Sequence, residues 1–245
     1  MEPKVSVLSL RKMKREGRKI VGVVAWDFQM AAIADRAGVD LISVGDSVGA
    51  NLWGRTTAAE VTVDEMLICC KAVRGGAGRA LVSCDIPGGP VRQGTRAAVG
   101  AALRFAEEGG AEMVKVLADA RTVSAIVKAG VPVFAELHGD TLPADTLVSL
   151  AQEFQDAGAS LIDFRHSGPV AGAAVAGAVA IPVIGGLGGG PWLDGRVRLA
   201  HTAIGYAAKW IDAKDETYAN AAKLSFGAFQ ALIEDVRAGR QIKGG

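Results

Sequence analysis

The feature that most constrains this chain is a repeated alternation of short apolar runs and amphipathic segments. The runs are "KIVGVVAW" (19–26), residues 40–45, residues 80–84, "EMVKVL" (112–117), "VPVFAEL" (131–137), "SLIDFR" (160–165) and "IPVIGG" (181–186). "RVRLAHTAIG" (196–205) is the weakest candidate, for an eighth strand. Segments of helical period lie between them, and Thr62 is placed to cap the helix "VDEMLICCKAVRGG". Four helical segments end in Ala-Gly or Gly-Gly just before a strand, at 37–38, 109–110, 129–130 and 157–158. Glycine there closes a helix and releases the chain into the next strand. Strand–helix alternation predicts a parallel sheet covered by helices, and 245 residues suit one (β/α)8 TIM barrel. The expectation is a single barrel domain over residues 1–245, with a doubly wound sheet as the runner-up.

In such a barrel the C-terminal ends of all strands open on one mouth, where active sites collect. Strands two and three each end on an aspartate, Asp46 in "VDLISVGDSVG" and Asp85 in "ALVSCDIPGG". A buried carboxylate needs a partner. Asp46 and Asp85 suit a hard cation such as Mg2+, or else pair with Lys115 or Arg165. Lys115 lies between apolar neighbours on strand four, with Asp119 beyond it. It is read as an ion-pair partner or an anchor for an anionic substrate ahead of a Schiff-base lysine. Glu136 and His138 alternate on strand five, share a face, and are candidate general bases. Asp163 and Arg165 share a face of strand six and are read as a pair, with His166 next. Trp26 and Asp27 end strand one, and His201 reads as structural or exposed. "GGLGGG" (185–190) lacks the context of a dinucleotide fingerprint and reads as a tight loop.

Composition excludes several classes. The formal net charge of +1 gives no reason to expect nucleic acid. The apolar runs are too short for a membrane span. The N-terminal "MEPKVSVLSLRKMKREGRK" is too charged for a secretory signal, and its basic cluster is read as the solvated face of a first helix. Cys69, Cys70 and Cys84 have neither disulfide nor zinc-site spacing and read as core residues in a reducing, cytoplasmic setting.

At "AGVDLISVGDSVG", "EVTVDEMLICCKAVRGGA", "AIPVIGGLGGG", "LDGRV" and "DVRAGR" the chain resembles the ketopantoate hydroxymethyltransferase family, over roughly residues 5 to 241. The resemblance implies a barrel of the phosphoenolpyruvate-binding type. It implies Mg2+ near Asp46 and Asp85, with Ser47 contacting substrate; Lys115 matches the family lysine, and Lys115 and Arg165 are read as further substrate-binding candidates. It implies a small 2-oxo acid, 2-oxoisovalerate, converted to an enolate that attacks the one-carbon unit of methylenetetrahydrofolate. It further implies cytoplasmic homo-oligomers, pentamers or decamers. The chain departs from the family pattern at three residue positions, and the glycine-rich loop after strand five is shortened to "HGDTLPADT". Leu117 stands where the family has a metal-site glutamate, and Glu136 where it has a histidine. Phe164 or Arg165 stands where it has its catalytic glutamate. The expected base is therefore relocated, with Glu136 first, His138 next and Asp163 after it, and Lys115 beside them. The alternatives are a Mg2+-dependent lyase or hydrolase acting on a 2-oxo acid, and a non-catalytic binding paralogue.

Overall fold

The computed structural model describes residues 3–56, 61–139, 142–186, 188–212 and 217–244. Eight parallel strands close into a barrel in sequence order. They are β1 (Ile20–Val24), β2 (Leu41–Val44), β3 (Leu81–Asp85), β4 (Met113–Val116), β5 (Val133–His138), β6 (Leu161–Arg165), β7 (Val183–Gly185) and β8 (Gly195–Leu199). The chain divides into two compact units, 1–198 and 199–245. Helices α1 (Val7–Arg15), α2 (Phe28–Ala37), α4 (Val63–Gly76), α6 (Thr95–Glu107), α7 (Ala120–Lys128), α8 (Ala144–Asp156) and α9 (Pro169–Ala178) belong to the first, with the short turns α3 (Val48–Asn51) and α5 (Gly88–Arg92). The second unit holds α10 (Ala200–Ala203), a 3-10 turn at Ala208–Ile211, and α11 (Ala221–Arg237).

Local chemistry accounts for the helix boundaries. Thr62 caps α4 in a capping box with Glu65, and Asp27 and Asp119 accept from Met30 N and Thr122 N to start α2 and α7. The two aspartates near strand ends one and four are thus caps. Gly38 ends α2 in the left-handed conformation (φ +91°), which a glycine adopts without a side-chain clash. The basic first helix is not free of structural work. Lys14 pairs with Asp194 at 2.9 Å and donates to the carbonyls of Ala176 and Ile181 below β7 and β8.

Alternation along each strand sorts the side chains. The lower barrel interior is filled by Leu41, Leu81, Met113, Phe134 and Leu161, all fully buried. Ile42, Val82, Val114, Ala135 and Ile162 have the opposite parity and lie under the helices, where Met66, Phe105, Ile126 and Leu147 are buried. The three cysteines are buried and free.

Two sequence expectations are corrected. The eighth run was predicted as a strand over 196–205. The strand stops at Leu199, and residues 200–203 turn into α10, where His201 is buried with its ring 4.9 Å from that of Tyr206. The alternation of Val197 and Leu199 ends there, and Ala200, Ala203 and Ile204 follow helical spacing. Asp163 and Arg165 were predicted to pair. Arg165 instead bonds Glu136, and Asp163 faces Lys115. Leu187 in the glycine-rich loop, and Asp140 and Thr141 after β5, lie outside the described residues.

Candidate active site

The site is built on the C-terminal ends of five neighbouring parallel strands, β2 to β6. Ser43 and Ser83 are paired in register, and Asp85 is paired with Lys115 one layer above. Glu136 is opposite Asp163, and His138 is opposite Arg165. Inward parity brings Asp85, Lys115, Glu136 and Asp163 into one polar layer, capped by His138 and Arg165. Lys115 Nζ is the centre of that layer. It lies 2.9 Å from Asp85 Oδ2, 3.4 Å from Glu136 Oε2 and 3.4 Å from Asp163 Oδ2.

Glu136 is the most heavily engaged acid. Its Oε1 accepts from Arg165 Nη1 at 3.0 Å and lies 2.5 Å from His138 Nε2, while Oε2 faces Lys115. Burial pushes its carboxyl up, but Lys115, His138 and Arg165 outweigh burial and hold it at about 2. Asp85 shows the opposite balance. Burial raises it to about 7 despite the pull of Lys115, and the nearby charges of Asp46 and Glu136 add to the rise. Ser43 Oγ donates to Asp85 Oδ1 at 3.2 Å and itself accepts from Ser83 Oγ at 2.9 Å. Burial also raises Asp46 and Asp163, in each case against the pull of Lys115. Asp163 Oδ1 is buried with no hydrogen-bond partner. Lys115 stays protonated. Burial alone would lower it, but Asp85, Asp163 and Glu136 hold it well above its ordinary value. A protonated amine is not a nucleophile, so this geometry disfavours Schiff-base chemistry.

Asp46 follows β2 at Gly45, half-buried, with Ser47 starting α3. A side chain at Gly45 would meet Val24 Cγ1 at 2.9 Å and Ser47 Oγ at 3.1 Å, with Asp85 Oδ2 at 3.8 Å. Glycine therefore lets β2 approach β1 and leaves space in front of Asp85. Trp26 Nε1 donates to the Gly45 carbonyl at 2.8 Å and fixes this turn. Leu117 is 56% exposed and supplies no oxygen. Across the mouth, His166 adopts a left-handed backbone (φ +51°). Gly139 and Gly188 pack so close that a Cβ would meet His166 O at 2.6 Å and His166 Cα at 2.8 Å, respectively.

The sequence-predicted residues Asp46, Ser47, Asp85, Lys115, Glu136, His138 and Arg165 thus stand at one end of the barrel. Among the described residues no three His, Cys, Asp or Glu side chains form a group able to hold a metal ion on their own. Two contributors, Ser43 and Ser83, were missed from the sequence. Ser43 and Ser83 were readable as polar residues inside apolar strands, and Trp26 was noted only by position.

A closed (β/α)8 barrel with charged side chains gathered at its strand ends is the architecture of a TIM-barrel enzyme. Comparison with known proteins gives the family. The ketopantoate hydroxymethyltransferase family model matches residues 4–143 and 136–241. A 3-methyl-2-oxobutanoate hydroxymethyltransferase of Gloeobacter violaceus is 34% identical, over 82% of this chain and 85% of the relative. One from Alkalilimnicola ehrlichii is 32% identical, over 96% and 91%. The chain belongs to the ketopantoate hydroxymethyltransferase family, a family of enzymes. Among solved structures, phosphoenolpyruvate phosphomutase from Streptomyces platensis has the same fold, with a TM-score of 0.66 at 16% identity over 96% of this chain and 88% of that one. A phosphonopyruvate hydrolase complexed with oxalate and Mg2+ aligns with a TM-score of 0.63 at 16% identity, over 96% and 88%.

Proposed function

We propose that this chain performs C–C bond chemistry on a 2-oxo acid through an enolate, with hydroxymethyl transfer to 2-oxoisovalerate as the reaction its family membership favours. The observation that carries this reading is the buried layer of Asp85, Lys115, Glu136 and Asp163 at the barrel mouth. Enolate formation needs positive charge at the 2-oxo oxygen and an acceptor for the neighbouring proton. Lys115 supplies fixed charge. Arg165 uses one donor on Glu136, and a guanidinium has five, so the others are available to a substrate carboxylate. Ser47 offers a hydroxyl at the Gly45 turn. Glu136, read from the sequence as a base, is a weak proton acceptor in this geometry and serves better to orient Lys115, His138 and Arg165.

The residues fit Mg2+. Four carboxylates, Asp46, Asp85, Glu136 and Asp163, face the two fixed cations Lys115 and Arg165, an oxygen-rich donor set with negative charge in excess. Asp46 and Asp85 would hold the ion, leaving positions for water and a chelating 2-oxo acid, as Mg2+ prefers. When bound, the ion supplies Lewis acidity toward the 2-oxo group. Methylenetetrahydrofolate would be the one-carbon co-substrate. The setting we propose is cytoplasmic, with 1–245 acting as one barrel and the chain as a homo-oligomer. No helix among the described residues is long and apolar enough to cross a membrane.

A second reading, a 2-oxo acid lyase or hydrolase, is favoured by Leu117 and by Phe164 or Arg165, which stand where the family pattern carries acids. The discriminating experiment incubates the protein with Mg2+ and 2-oxoisovalerate, with and without methylenetetrahydrofolate. Hydroxymethylated product only with the folate supports transfer. Turnover of other 2-oxo acids without folate supports the second reading. No product and no proton exchange with any 2-oxo acid would leave the family's chemistry lost from this chain.

A further inference from the structure

We propose that Asp163, not Glu136, is the catalytic base, taking the proton from the carbon beside the 2-oxo group on its Oδ1. This rests on the enolate reading above. Three observations point to it. Asp163 is 5% exposed and Oδ1 has no hydrogen-bond partner, whereas every other carboxylate oxygen that Asp85 and Glu136 present to the layer is engaged. Its other oxygen, Oδ2, lies 3.4 Å from Lys115 Nζ, so the free oxygen is oriented by a contact that does not consume it. Asp163 is also opposite Glu136 in register and two residues before Arg165. A substrate whose carboxylate reaches the guanidinium and whose 2-oxo oxygen reaches Lys115 would bring its third carbon toward strand β6. A carboxylate oxygen with no hydrogen-bond partner has a lone pair to give to a proton brought within reach, which is what abstraction requires.

The step balances within the site. The C3–H bond breaks and the proton goes to Asp163 Oδ1. The C–H electron pair becomes the C2=C3 bond, and the carbonyl π pair moves to the 2-oxo oxygen beside the Lys115 ammonium. In the return direction the same proton, or a deuteron acquired from solvent, is given back to C3. No oxidant or reductant is involved. Glu136 cannot easily take this part, because accepting a proton would displace Arg165, His138 or Lys115.

The test is deuterium exchange at C3 of 2-oxoisovalerate in deuterated buffer with Mg2+, followed by NMR. Asp163→Asn is nearly isosteric and keeps an oxygen for Lys115. It should slow exchange about 10²- to 10⁴-fold in kcat, the usual contribution of a positioned base, with KM and calorimetric binding of oxalate changed less than about threefold. Asp163→Glu should recover part of the rate, which a residue that only balances the charge of Lys115 would not require. Glu136→Gln should raise KM through loss of Arg165 and His138 positioning while retaining more kcat than Asp163→Asn. Normal kcat in Asp163→Asn, or a kcat loss confined to Glu136→Gln, overturns the proposal and leaves the enolate reading standing. Absence of exchange in the unmodified protein overturns both. Circular dichroism and oxalate binding of each variant separate a lost base from a lost fold.

Discussion

Lys115 holds the mouth together at the scale of single residues. Its ammonium lies within 3.4 Å of oxygens from Asp85, Glu136 and Asp163, and its side chain is 15% exposed. Removing one partner of a buried ion cluster leaves charge without compensation, which costs about 3–5 kcal/mol. Lys115→Met should therefore lower unfolding stability by that order in urea titrations. Lys115→Met combined with Asp163→Asn should cost less than the sum of the two single changes, because the second removes a charge that the first exposed. A loss below about 1 kcal/mol for Lys115→Met would mean that water, not the lysine, solvates these acids. The acids themselves were legible in the sequence, because a polar residue ending an apolar run must find a partner. Lys115 was legible as a partner for Asp85, but the partners of Glu136 and Asp163 were not. Inward parity on β5 and β6 gives Arg165 both Glu136 and Asp163 as neighbours; register sets it opposite His138, and its bond to Glu136 is a diagonal reach that side-chain packing selects. The unpartnered Asp163 Oδ1 depends on that choice and has no signature of its own.

Among elements, the strands were read closely, because an apolar run bounded by glycine and a helix has few alternatives in a chain of alternating type. The misreading of β8 arose where four residues of alternating pattern pass directly into one helical turn. Helix α4 shows how much a cap decides. The Thr62 side chain accepts from Glu65 N, Glu65 Oε2 accepts from Thr62 N at 2.9 Å, and Arg55 Nη1 donates to Glu65 Oε2 at 3.1 Å. The Arg55 bond, with the cap, holds the Glu65 carboxyl at about 2. Its folded value lies below its unfolded one, near 4.5, so its contribution is complete above about pH 4.5 and is lost as pH falls through 2. Glu65→Gln should lower the melting temperature at pH 6. That difference from the unmodified protein should shrink between pH 4.5 and 2, measured by differential scanning calorimetry. A difference that is the same at pH 6 and pH 3 would show that the amide replaces the carboxylate fully and that the Arg55 pair is without effect.

At the scale of the whole molecule, α11 poses the largest unfilled requirement. Ala222 is its only buried residue among those described, and Asn220 at its N-cap donates to the Trp210 carbonyl. Phe226, Phe229, Ile233 and Val236 are exposed, Phe229 at 64%, and continue from Ala222 at spacings of four, three, four and three. That spacing makes one apolar seam along the helix, of the kind that packs against another helix. Leu224 and Leu232 widen it. A contiguous apolar strip of this length is unusual on a protein that works alone. Fully burying a phenylalanine or isoleucine contributes roughly 1.5–3 kcal/mol, so a few such residues from each of two copies can hold an association together. A second copy of the chain is the partner consistent with the homo-oligomer proposed above, since each copy brings the same seam. Light scattering at micromolar concentration should therefore return a multiple of the single-chain mass. Phe229→Asp with Ile233→Asp should return the single-chain mass with an unchanged circular dichroism spectrum of the barrel, because neither side chain contributes to the buried core. A unit mass for the unmodified protein, or an oligomer indifferent to both substitutions, would remove this seam from the account of how the chain assembles.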